Sequence, residues 1–145
     1  MKFIVLNGPN LNLLGSRDKN HYGAFSLSDI ELLLKKEYPD DYFEFYQSNH
    51  EGELIDRVQK AEAFFDGIII NPGGYAHTSV AIKDALTESK IPKIEVHLSN
   101  LSSRENYRQI CLTASSCNGY LSGFKADGYL AAVYLLKRLI GDKES

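Results

Sequence analysis

Two residues in the second half of the chain, Glu95 and His97, have the types and the spacing of an acid-base pair. Residues two apart in a strand project to the same face, so in strand geometry these side chains can meet. A carboxylate on one ring nitrogen fixes the tautomer and favours the imidazolium, leaving the other nitrogen to deliver a proton. The plain alternative is a strand-end histidine satisfied by a neighbour. Nearer the N-terminus, Arg17 and Tyr22 lie five apart. A tyrosine serves as base only as phenolate, and with a reference pKa near 10, ionising it at neutral pH costs about 4 kcal/mol. One or two close guanidiniums in a water-poor pocket could supply energy of that order. Tyr22 is one of nine tyrosines, so a structural role competes with the chemical one. Arg104 and Arg108, spaced i, i+4, would share one face of a helix that begins early, and paired guanidiniums suit an anionic ligand as well as a solvated surface. Gly73-Gly74 ahead of Thr78-Ser79 has the form of an anion nest opening onto a helix N-terminus, or of a tight turn.

These side chains matter only if the fold gathers them. Strand-like runs occupy Lys2 to Asn7, Tyr42 to Gln47, Gly67 to Asn71, Lys93 to Leu98 and Gly119 to Phe124. Between them, Leu27, Ile30, Leu33 and Leu34 fall on one helical face behind a Ser26/Asp29 capping box, with Pro39 marking the exit. Leu54, Ile55, Val58 and Ala61 repeat the pattern. Further helices are predicted over Thr78 to Glu88, Glu105 to Thr113 and Gly128 to Ile140. Alternating strands and helices favour a flavodoxin-like α/β fold: a doubly wound, five-stranded parallel sheet with helices on both faces. Ligands of such sheets bind beyond the carboxyl ends of the strands. There the chain carries Asn7-Gly8-Pro9-Asn10, then Asn71-Pro72-Gly73-Gly74 leading to His77, then Glu95, His97 and Ser99 in alternation. Three loops should therefore converge on one rim. The last helix is apolar all round from Tyr129 to Leu136, so its outer side calls for cover by loops or a second subunit. The long irregular stretch from Gly8 to Gly23 is of a kind compact domains keep for a use.

Bulk properties narrow the classes. With 145 residues, 43% hydrophobic and 24% charged, residues 1 to 145 are expected to form a single domain. A net charge of -3 gives no reason to expect nucleic acid. The opening MKFIVLNGPN fits neither a signal peptide nor a spanning helix, so a cytoplasmic protein without membrane contact is expected. Cys111 and Cys117 match no metal spacing and read as reduced structural thiols. Neither a G-x-G-x-x-G nor a P-loop sequence occurs.

Several long motifs, in order, resemble the type II 3-dehydroquinate dehydratase family. They are LNGPNLNLLGSR ending at Arg17, Tyr22-Gly23, QSNHEGELID at 47 to 56, INPGGYAHTSVAIKDAL at 70 to 86, IEVHLSN at 94 to 100, Arg104-Glu105 and Gly128-Tyr129. The resemblance spans nearly the whole chain. It implies a flavodoxin-like enzyme that eliminates water, with anti geometry, from 3-dehydroquinate to give 3-dehydroshikimate through an enolate, with no metal or cofactor. By that analogy Tyr22 is the base, Arg17 holds it ionised, and Arg104 adds to the positive field. His97, oriented by Glu95, protonates the departing hydroxyl, and Asn10 and Asn71 position the centre and a supporting water. Substrate binding falls to Asn71, His77, Asp84, Arg108, Gly73, Gly74 and the Leu98-Ser99 backbone. The resemblance also implies trimers packed into a homo-dodecamer, with Asp84 reaching a neighbouring subunit's site.

The chain departs from the family pattern in places. Asp18-Lys19 stands where Glu-Pro is usual, which should loosen the loop carrying Tyr22. Ser102-Ser103 replaces a common His-Ala, Ala76 a usual Thr, and Lys125 a frequent Gly. A flavodoxin-like module that binds a small anion without turning it over would share the polar rim, but has no reason to assemble Arg17, Tyr22, Glu95 and His97. A related lyase or hydrolase acting on another cyclic hydroxy acid is the third reading.

Overall fold

In the computed structural model, which describes residues 1 to 144, five strands make one parallel sheet. They are β1 (Lys2–Asn7), β2 (Tyr42–Gln47), β3 (Gly67–Asn71), β4 (Lys93–His97) and β5 (Gly119–Ser122), ordered β2-β1-β3-β4-β5. That is the flavodoxin-like doubly wound order. Five helices accompany them: α1 (Lys19–Tyr22), α2 (Leu27–Glu37), α3 (Glu51–Ala61), α4 (Val80–Glu88) and α5 (Asp127–Glu144).

Strand alternation explains the layers. Phe3, Val5, Ile69, Ile94 and Val96 face one side and pack with Ile30 and Leu34 of α2 and Tyr129, Ala132, Val133 and Leu136 of α5. Ile4, Leu6, Ile68 and Ile70 face the other side, against Leu54, Val58 and Ala61 of α3 and Ile82, Ala85 and Leu86 of α4. Because these inner strands are covered on both faces, they read as continuous apolar runs. The capping box forms as expected: the Ser26 hydroxyl accepts from the Asp29 N–H at 3.2 Å, and the Asp29 carboxylate accepts from the Ser26 N–H at 2.9 Å.

Four expectations need correction. No α-helix spans Glu105 to Thr113; 3₁₀ turns at Asn106–Arg108 and Ala114–Ser116 stand there instead. The Gln109 side-chain amide donates to the Leu101, Arg104 and Glu105 carbonyls at 2.6, 3.1 and 3.3 Å, and so binds this segment into turns. Second, the helix expected from Thr78 begins later, behind Ser79, whose hydroxyl accepts from the Ile82 N–H at 2.9 Å, and Gly73-Gly74 takes the tight-turn alternative, opening a 3₁₀ turn (Gly73–His77). Third, the irregular stretch from Gly8 ends in the single turn α1, which carries Tyr22. Fourth, the last two strands stop short of the expected Leu98 and Phe124. On α5 the inner face is fully buried, whereas Tyr134 is 57% exposed and Leu135 38%, so the chain's own loops leave that outer side open. Among the described residues, no helix is long and apolar enough to cross a membrane.

Candidate active site

The carboxyl ends of β1, β3 and β4 lie side by side, and the loops leaving them enclose a cavity of about 100 Å³. It sits at the point where the strand order reverses, between β1 and β3. The loops there approach each other closely: a Cβ on Gly8 would stand 2.4 Å from the Pro72 carbonyl oxygen, so only glycine fits. Gly73, with φ 61°, turns the β3 loop toward the cavity. Asn10 takes a left-handed φ of 69°, and its N–H donates to Asn49 Oδ1 at 3.0 Å.

One wall is cationic around a phenol. Arg17 Nη2 donates to the Tyr22 hydroxyl oxygen at 2.8 Å, and Arg104 Nη2 donates to the same oxygen at 3.2 Å. The Arg17 guanidinium carbon also lies 3.8 Å from the centre of the Tyr22 ring. Arg104 is 7% exposed and is fixed by a second bond, from Nη1 to Ser99 Oγ at 2.9 Å. Arg108 donates through Nε to Glu105 at 2.8 Å. Although the predicted helix is missing, Arg104 and Arg108 both line the cavity. In α1, where the expected proline is absent, the Asp18 carboxylate caps the turn by accepting from the Asn20 N–H at 2.9 Å.

The other wall carries His97 and, behind it, Glu95. His97 Nε2 lies 2.6 Å from Glu95 Oε2, and Glu95 is fully buried. The second Glu95 oxygen accepts from the Thr113 hydroxyl. Both carboxylate oxygens are thus engaged, as a buried charge requires. His97 Nδ1 is the ring nitrogen left for a ligand. The His77 ring lies nearly parallel to that of His97, with centroids 6.1 Å apart, and its Nδ1 is 2.8 Å from the Ile110 carbonyl oxygen. Glu95, His97 and Cys111 place three potential donor atoms within 4.8 Å of one another. The short His97–Glu95 contact and the Thr113 bond engage both oxygens of that carboxylate. Burial, with a smaller contribution from Glu95, pushes the Cys111 thiol up to about 11, so it stays protonated at neutral pH. Cys117 is pushed up to about 12, again chiefly by burial.

Of the residues singled out in the sequence, Asn10, Arg17, Tyr22, Asn71, Gly73, Gly74, His97, Leu98, Ser99, Arg104 and Arg108 line this one cavity. Glu95 stands behind His97, and His77 beside it. Asp84 is exposed on α4 and does not line the cavity of its own chain. Sequence reasoning missed Thr113, whose partner is 18 positions away. It also missed Leu11 and Leu101, cavity-lining residues without reactive groups, whereas Pro9 belongs to the rim segment already read there. A larger hollow of about 480 Å³, lined by Lys2, Tyr42, Glu44, Arg57, Phe64 and others, gathers no comparable set of groups.

Comparison with known proteins finds related chains over nearly the whole length. A family model described as Dehydroquinase class II matches residues 1 to 137. The 3-dehydroquinate dehydratase of Fusobacterium nucleatum subsp. nucleatum is 50% identical over 143 residues, covering 94% of this chain and 97% of that protein. That of Thermotoga petrophila is 48% identical over 140 residues, covering 95% of this chain and 96% of that protein. The crystal structure of type II dehydroquinase from Butyrivibrio crossotus superposes with a TM-score of 0.91 at 46% identity, covering 94% of this chain and 97% of that one. With the sheet order, the three converging loops and a match over almost its full length in agreement, the chain belongs to the class II dehydroquinase family.

Proposed function

We propose that the chain is a 3-dehydroquinate dehydratase, a hydro-lyase that removes water from 3-dehydroquinate to give 3-dehydroshikimate. The observation that carries the mechanism is the Tyr22 hydroxyl held by Arg17 and Arg104, in a cavity that also contains His97 backed by Glu95. Two guanidinium N–H groups converge on the one phenol oxygen that serves as base in this reading. The Tyr22 phenolate takes a proton from the carbon next to the ketone, and the electron pair moves onto the ketone oxygen as an enolate. The enolate then re-forms the ketone and expels the hydroxyl, which takes a proton from the His97 imidazolium and leaves as water. Glu95 holds the ring in place and balances its charge while it is protonated. Asn10 and Asn71, with a water between protein and substrate, stabilise the enolate oxygen. Arg108, His77 and the Leu98-Ser99 backbone bind the substrate's carboxylate and hydroxyls. Each turnover leaves a neutral Tyr22 and a neutral His97, and one proton passing from the first to the second through solvent resets both.

Residues 1 to 145 serve as one catalytic domain in this reading, acting in the cytoplasm. Trimers packed into a dodecamer would bring the exposed Asp84 to a neighbouring site, and the open outer side of α5 offers Tyr134 and Leu135 for contact. The direct test mixes purified protein with 3-dehydroquinate and follows growth of the product's conjugated-enone absorbance. Steady growth proportional to enzyme is expected; binding without growth would support the anion-binding alternative.

A further inference from the structure

Gly128-Tyr129 has no part in the chemistry above, yet Tyr129 is fully buried and its hydroxyl ends between the strands that build the site. It donates to Asn7 Oδ1 at 2.5 Å and accepts from Asn71 Nδ2 at 3.2 Å. Asn7 and Asn71 are register partners at the carboxyl ends of β1 and β3. Asn71 Oδ1 in turn accepts from the Gly73 N–H at 3.1 Å.

This network leaves Asn71 one orientation. A phenol has a single proton, and here Asn7 takes it, so the Tyr129 oxygen can only accept from Asn71. The Gly73 N–H can only donate, so the carbonyl end of the Asn71 amide must face it. An amide is free to flip unless both its ends are assigned, and both are assigned here. The amide nitrogen then keeps a second N–H beyond the one given to Tyr129, on a residue that lines the cavity. Burial pushes the ionisation of Tyr129 upward against a smaller contribution from the Asn71 bond, so the hydroxyl holds its proton throughout.

We infer that Tyr129 is a positioning residue for the dehydration: from α5, beneath the sheet ends, it locks the Asn71 amide so that an N–H is presented to the substrate. The inference rests on the role given to Asn71 in the proposed function. It differs from a purely structural role, in which loss of the hydroxyl would weaken the fold whatever residue stood at 71.

The test is a double-mutant cycle of Tyr129→Phe and Asn71→Ala, read as kcat and KM for 3-dehydroquinate. Phenylalanine keeps the ring in the core and removes only the hydroxyl. Tyr129→Phe is expected to lower kcat roughly tenfold or more, because a misplaced donor costs rate even when the change lies away from the reacting atoms, with KM within about twofold. In the Asn71→Ala background the same change should move kcat by less than about twofold, because coupled residues are not additive. If Tyr129→Phe fails to fold by circular dichroism, Asn7→Ala carries the same cycle, since it removes the acceptor that fixes the Tyr129 hydroxyl and so loosens the hold on the nitrogen end of the Asn71 amide. An equal kcat factor in both backgrounds, a wild-type kcat in Tyr129→Phe, or an effect on KM alone overturns the inference. So does a wild-type kcat in Asn71→Ala, which leaves the dehydratase reading standing. A wild-type chain that converts no 3-dehydroquinate sinks both.

Discussion

His97 Nε2 sits 2.6 Å from Glu95 Oε2, two residues along the same strand, with the two side chains 6% and 0% exposed. Strand geometry alone brings them together, and the Thr113 hydroxyl completes the buried carboxylate.

The pair predicts how His97→Ala fails. A general acid contributes roughly 10²- to 10⁴-fold, so kcat should fall by that order while KM changes little. Steady-state kinetics checks this, and an effect on KM alone would make His97 a binding residue.

Acid stability should depend on Asp41. Its side chain is 4% exposed and meets Lys137 Nζ at 2.6 Å and the Met1 amine at 2.8 Å. Burial pushes this carboxyl up, but the hydrogen bonds and charges of Lys137 and the Met1 amine outweigh it and hold the group below the ordinary aspartate value. The unfolded chain therefore binds its proton first as pH falls. The stabilisation is fully present above the ordinary aspartate range and is lost as pH drops through the lower, folded value. Urea unfolding at a series of pH values should show stability declining toward strong acid, with a shallower decline in Asp41→Asn. Equal slopes would remove Asp41 from the account.

At Lys125 the backbone conformation has a cost. This residue takes φ 50°, where a side chain crowds its own backbone, while its N–H donates to the Leu98 carbonyl oxygen at 3.0 Å beside the cavity. Lys125→Gly relieves that crowding but adds freedom to the unfolded chain, for a net gain of about 0.5–1 kcal/mol. The urea midpoint should rise at unchanged slope, and a fall would contradict this reading of the turn.

Particular residues show how much was legible in advance. The first three strands begin and end where expected because Asn7-Gly8-Pro9, Pro39-Asp40-Asp41 and Asn71-Pro72-Gly73 punctuate the apolar runs locally. The segment from Glu105 to Thr113 has helical spacing yet folds as turns because side-chain bonds decide it: Gln109 draws three carbonyls to itself, which propensity does not register. The polar rim was readable, since every strand end carries its own Asn, Gly or His. Thr113 and Tyr129 were not, because their partners lie 18 and 58 or more positions away and each passes for ordinary packing until the sheet is assembled.

The account stands or falls on Tyr22 as the base. Stopped-flow turnover of 3-dehydroquinate by Tyr22→Phe, set beside ligand binding by calorimetry, tests it most directly. Turnover should vanish while the affinity for substrate stays close to that of the unaltered chain. Conversion at a rate comparable to wild type would show that another group takes the proton.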